Sequence, residues 1–484
     1  MTPIRTEASL SVGEALAPIL TMLGLFLLGT FTIGLSGELL VAVLLASAAV
    51  AGLIAARHGH GWDDVQRATG EKLADVLPAI LILLSIGLLI ATWVLSGTIP
   101  YLVYWGVKFI SPRWLVLTAF LATALMSLAT GTSWGSAGTI GVALMGTAAA
   151  LGAPMAATAG AVVSGAYFGD KMSPLSDSTN ICAIGAGADL YEHIRHMLYT
   201  ALPSFVLAFL LYALASRLTP VAADGTTEKA IGLLADLERV FVLSPLVLIP
   251  PAIVVISIVR RVPAALAIAV SSLVAIGLGV GLQGFGFEEA IRAAVAGFDL
   301  EMVSATGADP ETLGADFGRL VERGGLYGMA NTLIVVIAAF LLAGAMTASG
   351  SLDLLIRRML SAVRSVFGLI GATMASGATT IALTSHGGVT ALVIGGLFQG
   401  AYEERGLAPV NLSRSLEDSV TITEPLMPWT VSAVFMAGTL GVSTLEYAPW
   451  ALFCYGGPIF SLLIAATYER TRYGIRRSMP EPQG

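Results

Sequence analysis

Gly165-Ala-Tyr-Phe-Gly-Asp-Lys-Met-Ser-Pro-Leu-Ser-Asp-Ser-Thr-Asn180 follows one apolar run, Met155–Phe168, and precedes another, Ile181–Ala188. It packs Asp170, Lys171, Asp177, three serines, Thr179, Asn180 and Pro174 between segments of membrane-grade hydrophobicity. A charged side chain at the centre of a bilayer costs about 2.5–3.5 kcal/mol even on the mildest insertion scale. Pro174 removes a backbone donor and frees a carbonyl upstream. The stretch therefore reads as a helix broken inside a membrane protein, with carbonyl oxygens and a helix N-terminus turned toward a cavity. The plainer reading is a polar loop outside the membrane. It loses ground because a second stretch, Ser415-Leu-Glu-Asp-Ser-Val-Thr-Ile-Thr-Glu-Pro-Leu-Met-Pro-Trp-Thr430, is also acidic (Glu417, Asp418, Glu424) and also broken (Pro425, Pro428).

The rest of the chain supplies the membrane. Of 484 residues, 56% are hydrophobic and 12% charged, about half the globular norm of roughly 25%. So few charges cannot clothe a water-facing surface, and the fold class is an all-α polytopic membrane protein. The net charge of −7, with no basic tail or aromatic–basic platform, argues against nucleic acid. Cys182 and Cys454 have no metal-site spacing. Residues 1–18 show no signal-peptide cleavage site, so the first apolar run is expected to stay as an anchor. Runs long enough to span lie near 15–35, 39–56, 73–95, 114–129, 198–218, 240–259, 263–282, 329–347, 367–383 and 448–466. Shorter pieces broken by Gly, Ser, Thr and Pro lie at 136–151, 155–168, 178–187, 389–401 and 430–441. About 11–13 crossings are expected, some of them re-entrant or broken.

An internal repeat runs through these pieces. Ala91–Thr98 resembles Gly344–Ser351, Thr132–Gly135 resembles Thr384–Gly387, Gly152–Pro154 resembles Leu407–Pro409, and Ser173-Pro174-Leu175 resembles Glu424-Pro425-Leu426, at offsets of about 251–255. This predicts five regions: N-terminal helices and a cytoplasmic loop (1–72), a first repeat (73–218), a linker with two membrane helices and an acidic outer loop (219–327), a second repeat (328–466) and a basic tail (467–484). Basic clusters at Arg57, Arg67 and Lys72, at Arg260-Arg261, at Arg357, Arg358 and Arg364, and at Arg470–Arg477 all fall on the cytoplasmic side by the positive-inside rule. Tracing the helices between them sends the first helix of one repeat outward and that of the other inward, so the repeats are expected to be inverted. Both chain ends are then cytoplasmic, while Lys108 and Arg113 sit on the outer side.

Hydroxyl, amide, carbonyl and carboxylate oxygens suit a hard cation in place of water. Asp170 beside Lys171 suggests an internal ion pair. Asp177 then lacks a local partner: burial favours its protonated form and a nearby cation its ionised form. One carboxylate, protonated or cation-bound but not both, is the simplest basis for exchange. The expected cation site joins a hairpin tip (Thr132, Ser133, Ser136) to the break (Ser173, Ser176, Ser178, Thr179, Asn180), with Asp177 and Asp170 exchanging proton for cation. A second-repeat site is expected from Thr384, Ser385, His386, Asp418, Thr423, Glu424 and Thr430, His386 being either titratable or structural. Gly131-Thr-Ser-Trp-Gly135 also fits the G-x-S-x-G nucleophile elbow, with Ser133 as nucleophile, but that motif needs a strand–turn–helix setting. His193 and His196 are read as a juxtamembrane loop, and residues 283–326 as a solvated outer loop or a cation-attracting vestibule.

Phe168–Asn180, preceded by Ala129-Thr-Gly-Thr-Ser-Trp-Gly-Ser-Ala-Gly-Thr-Ile140, resembles the signatures of the NhaC family of bacterial Na+/H+ antiporters, and Glu417-Asp-Ser with Pro425-Leu-Met-Pro-Trp429 is similar to that family's second-half pattern. The resemblance implies two inverted repeats, each with a re-entrant hairpin and a broken helix. It implies a secondary transporter rather than an enzyme, in a cytoplasmic membrane, with Na+ and H+ as cargo and no cofactor. It also implies a runner-up, an organic-acid exchanger of the malate/lactate kind, in which Asn180 and Thr430 hold the carboxylate. A small carboxylate partner and a homodimer stay open.

Overall fold

The computed structural model describes residues 10–33, 36–218, 225–361, 363 and 365–478. Expectations for the N-terminal nine residues, for 219–224, for Arg364 and for the tail beyond Ser478 lie outside the described residues.

Two apolar helices, α1 (Val12–Ile33) and α2 (Gly37–Arg57), pack together at the start, the second capped by Ser36, whose hydroxyl accepts the Leu39 N–H at 3.2 Å. The amphipathic α3 (Trp62–Asp75) comes next and packs on the later α17 (Ala330–Ala348). The expected run from Leu73 is in fact two helices. Pro78 sits in the first turn of α4 (Leu77–Leu95), and the chain breaks just ahead of it. Then follow α5 (Thr98–Phe109), α6 (Leu115–Thr130), the short α7 (Ser133–Ser136) running through a π turn into α8 (Val142–Ala150), α9 (Met155–Met172), α10 (Asp177–Ala186) and α11 (Leu190–Leu218). The middle of the chain forms α12 (Gly225–Val240), α13 (Ile249–Val259), α14 (Ala264–Gly281), α15 (Phe287–Ala296) and α16 (Ala315–Val321). After α17 come α18 (Ser351–Ser361), α19 (Val366–Thr384), α20 (Gly387–Glu403), α21 (Pro409–Leu416) continuing into a π turn over Glu417–Thr421, α22 (Val431–Leu440), α23 (Thr444–Tyr447) and α24 (Leu452–Thr471).

Among the described residues nine helices are long and apolar enough to cross a membrane, or up to eleven if each bent pair counts as one span. Nine to eleven meets the expected 11–13 only at its upper end, α10 and α21 being too short to span.

The structure sharpens the repeat. Left-handed residues end equivalent helices at Gly131 and Ser385, at Gly152 and Gly406, and at Gly187 and Gly441, each pair 254 positions apart. Helix starts obey the same shift: Thr132 and His386 cap α7 and α20, and Ser176 and Thr430 cap α10 and α22. Side-chain bonds recur too, Thr130 to Ser136 at 3.3 Å and Thr384 to Thr390 at 2.6 Å. Near the start of each repeat, Ser96 meets Thr98 at 2.8 Å and Ser349 meets Ser351 at 2.7 Å, around left-handed Gly97 and Gly350. This register corrects three sequence pairings, Gly152 matching Gly406 rather than Leu407. Thr132 matches His386 rather than Thr384, and Glu424 matches Asp170 rather than Ser173. Helix stops and caps fix register more tightly than a shared Ser or Pro does.

Without a hydrophobic drive between helices in lipid, small residues set how closely backbones approach. Gly165 and Gly169 on α9 do this against α6: a Cβ on the first would lie 2.3 Å from the Phe120 carbonyl oxygen, and on the second 2.4 Å from the Leu128 nitrogen. The halves meet the same way, a Cβ on Gly395 of α20 falling 2.3 Å from the Gly185 oxygen of α10. Trp134 also stacks on Phe435 at 4.3 Å between centroids. The segment 283–326, expected as a loop, is folded. Phe285, Phe298 and Phe317 are buried around Phe241, so its carboxylates ride on a small apolar core.

Gly169→Val should therefore lower the melting temperature of the detergent-purified protein by overpacking α6 against α9, a cost of about 1–3 kcal/mol. Gly232→Ala, in α12 where a Cβ meets nothing within 4 Å, should not lower it.

Candidate functional site

Each hairpin tip meets the helix break of its own repeat. In the first, a Cβ on Gly131 would lie 2.6 Å from Leu175 Cβ and 3.0 Å from the Ser176 nitrogen. In the second, the Ser385 carbonyl accepts the Val431 N–H at 3.2 Å, and Trp429 Nε1 donates to the Ala382 carbonyl at 2.7 Å. Local chemistry holds the breaks open. Between α9 and α10 the Thr179 hydroxyl donates to the carbonyls of Asp170 (3.3 Å) and Lys171 (3.2 Å), and Asn180 Nδ2 donates to those of Pro174 (3.1 Å) and Ser176 (2.7 Å). Ser173 Oγ accepts the Leu175 N–H at 3.3 Å, and Ser176 and Ser178 share a bond at 3.0 Å. Between α21 and α22 the Thr430 hydroxyl donates to the Glu424 carbonyl at 2.6 Å and Thr423 donates to the Ser419 carbonyl at 2.6 Å.

A carboxylate stands at each tip. Asp170 is 7% exposed, and Ser133 Oγ donates to its Oδ2 at 2.8 Å, with the Ser133 backbone N–H and the Ser176 hydroxyl also facing it. Glu424, its repeat mate, is also 7% exposed and faces the backbone of Gly387 and Ser432. Ser133 and Gly387 are the first residues of α7 and α20. Each acid thus sits at the N-terminal end of the hairpin's inner helix, where free N–H groups and the helix dipole favour negative charge.

Behind this pair lies a second layer. Lys171 is fully buried, and its ammonium pairs with Asp418 Oδ1 on the π turn of the other repeat, where the Thr200 hydroxyl also donates at 3.2 Å. The expected Asp170–Lys171 pair is corrected by this: successive helical residues point about 100° apart, so Lys171 cannot follow Asp170 to the tip. Glu417 is buried beside Cys182, with no hydrogen-bond partner for either oxygen among the described residues. Arg414, one turn earlier, is buried too. It donates to the Gly474 carbonyl, while its Nε and Nη2 find no partner among the described residues.

Other expected residues fall out differently. Asp177 is exposed, correcting its expected burial, because it is the first residue of α10 and Ser176 rather than Asp177 turns inward as the cap. Ser136 donates to the Thr132 carbonyl at 2.8 Å, and Thr132 Oγ1 accepts the Gly135 N–H at 3.2 Å, so both stabilise the tip. His386 is a helix cap accepting the Val389 N–H at 3.5 Å. His193 and His196 are not in a loop. They are buried in the opening turns of α11, which starts after Asp189 accepts the Glu192 N–H at 2.9 Å, and His193 Nδ1 meets Ser413 Oγ at 2.7 Å. The G-x-S-x-G match follows helix α6 rather than a strand, and Ser133 is engaged with Asp170. Arg414 escaped the sequence reading; a lone arginine on a short segment that the repeat equates with α9 was the available signal.

Counted together, the buried ionisable residues of these kinds at the described positions are four acids (Asp170, Glu417, Asp418, Glu424) and two basic residues (Lys171, Arg414), besides two histidines. Isolated buried charge costs several kcal/mol per ion, and two of the carboxylates are left without a buried basic partner.

Comparison with known proteins gives the family. A family model described as the Na+/H+ antiporter family matches residues 165–467. An uncharacterised Na+/H+ antiporter of Haemophilus influenzae is 44% identical over 94% of this chain and 95% of its own. The Na+/H+ antiporter NhaC of Alkalihalophilus pseudofirmus is 36% identical over 99% of this chain and all of its own. An arginine/ornithine antiporter of Halobacterium salinarum is 33% identical over 98% of this chain and 94% of its own.

Lys171→Met should strip Asp418 of its partner and destabilise the protein by about 3–5 kcal/mol, while Lys171→Met with Asp418→Leu should recover most of that loss, read from unfolding midpoints.

Proposed function

We propose, for a chain that belongs to the Na+/H+ antiporter family, that it exchanges Na+ for H+ across a membrane by secondary active transport, with Asp170 as the carboxylate that holds either ion. The observation that carries this reading is the excess of two buried acids over buried lysine and arginine. A site short of positive charge is made for a mobile cation. It is poorly suited to an organic acid, so the runner-up is the weaker reading.

Asp170, Ser133 and Ser176 offer oxygens of the kind Na+ takes in place of water. Ser133 now donates to the carboxylate; turning its hydroxyl proton away would free the same oxygen to face a cation. Glu424 is the counterpart acid in the second repeat. Exposed Asp177, beside Asp170, guides cations toward it. The multi-pass chain lies in the cytoplasmic membrane with both ends and the arginine clusters inside. Its two repeats run in inverted sense, and one moves against the rest to alternate access.

Everted vesicles carrying the protein, read with a pH dye, should lose a preformed proton gradient on adding Na+ and not on adding malate, lactate or arginine. Asp170→Asn should abolish the signal and Asp177→Asn should only weaken Na+ affinity. A wild-type response that requires malate or lactate would replace this reading with the organic-acid exchanger. Because H+ and Na+ compete for one site, exchange should rise with pH from about 6 to about 9, as the protonated fraction falls. A flat profile would contradict the shared carboxylate.

A further inference from the structure

Between the opening turns of α11 and the tail after α24 lies a cavity of about 460 Å3, lined by Glu192, Arg195, His196, Tyr199, Arg472 and Arg476 among others. That volume falls in the roughly 300–1,000 Å3 range of small-molecule sites. Its charge is lopsided. The one carboxylate, Glu192, is already paired with Arg476 at 3.2 Å, which leaves Arg195 and Arg472 without a carboxylate among the described residues. His196 is 6% exposed and its ring forms part of the cavity wall. Behind the wall, the fully buried Arg414 donates to the carbonyl of Gly474, itself a lining residue. A path for cations would not be walled with three guanidinium groups. A merely solvated basic face would have neither the concavity nor a wall closed by the buried His196.

We propose that this cavity binds a phosphate group, either the headgroup of an acidic phospholipid or free inorganic phosphate. Guanidinium forks match phosphate oxygens, and basic pockets between membrane helices suit such headgroups. The arginines come from separate elements, Arg195 from α11 and Arg472 and Arg476 from the tail. A bound phosphate therefore bridges them. The tail is already strapped to the start of α21: the Arg476 carbonyl accepts the Ala408 N–H at 3.0 Å and Asn411 Nδ2 at 2.6 Å, and the Asn411 side-chain oxygen accepts the Arg476 N–H at 2.9 Å. Phosphate would thus clamp α11 to the segment that carries Arg414, Glu417 and Asp418.

The test is thermal unfolding of the full chain purified in neutral detergent, with added phosphatidylglycerol, phosphatidylcholine, or inorganic phosphate at fixed ionic strength. Phosphatidylglycerol or phosphate should raise the midpoint by several degrees, phosphatidylcholine should not, and R195Q/R472Q should lose most of the shift while R260Q, an exposed arginine elsewhere, keeps it. A rise with phosphatidylglycerol alone assigns the site to lipid; a rise with inorganic phosphate assigns it to the free ion. Should the double variant not fold, R195Q alone reads the same loss at smaller size. No rise with either ligand, or an undiminished rise in the arginine variants, overturns the proposal.

Discussion

Lipid offers no hydrogen bonds, so a helix that breaks inside a bilayer must have its freed carbonyls and amides satisfied by protein or by a water-filled cavity. Each repeat breaks a helix beside its hairpin tip, after Met172 and after Thr421, and each time meets the requirement from nearby. Side chains of Thr179, Asn180 and Thr430 take the loose carbonyls, and the hairpin tip of the same repeat closes over the gap. The carboxylates sit where this arrangement leaves free N–H groups, at the first turns of α7 and α20. The site is thus a by-product of the way the backbone is satisfied. A carboxylate placed on an unbroken helix in lipid would have no donors to hold it.

The two halves share geometry but not charge. Asp170 and Glu424 are equivalent, as are the caps Ser176 and Thr430. Lys171, however, is matched by Pro425, while Glu417 and Asp418 are matched by Val163 and Ser164. One repeat brings a lysine and the other two acids, and they neutralise each other partly across the interface. Such a cross-repeat pair is expensive to separate. It ties α9 to the π turn after α21 and sets this layer apart from the pair of acids at the hairpin tips.

Much of the architecture was legible in the sequence because hydrophobic length is a one-dimensional property. The spans near 15–35, 39–56, 114–129 and 367–383 correspond to α1, α2, α6 and α19 within a few residues. The breaks were visible through Pro174 and Pro428 and their polar neighbours. The partner of Lys171 was not, since it lies 247 residues away and depends on how the halves pack. Nor could sequence tell Asp170 from Asp177. Both flank the same proline, and which one turns inward depends on where α10 begins and on Ser176 taking the cap. The repeat register was blurred for a related reason: matching residue types tolerates a shift of a few positions, whereas left-handed Gly131, Gly152 and Gly187 with their mates do not.

The central claim is that one buried carboxylate carries Na+ or H+ but never both. Its most direct measurement is proton release from the purified protein in weakly buffered detergent solution on addition of Na+, with isotope binding measured alongside. The account predicts acidification in step with Na+ bound, absent with choline, lost in Asp170→Asn and retained in Asp177→Asn. Na+ binding without proton release, or release undiminished in Asp170→Asn, would contradict it.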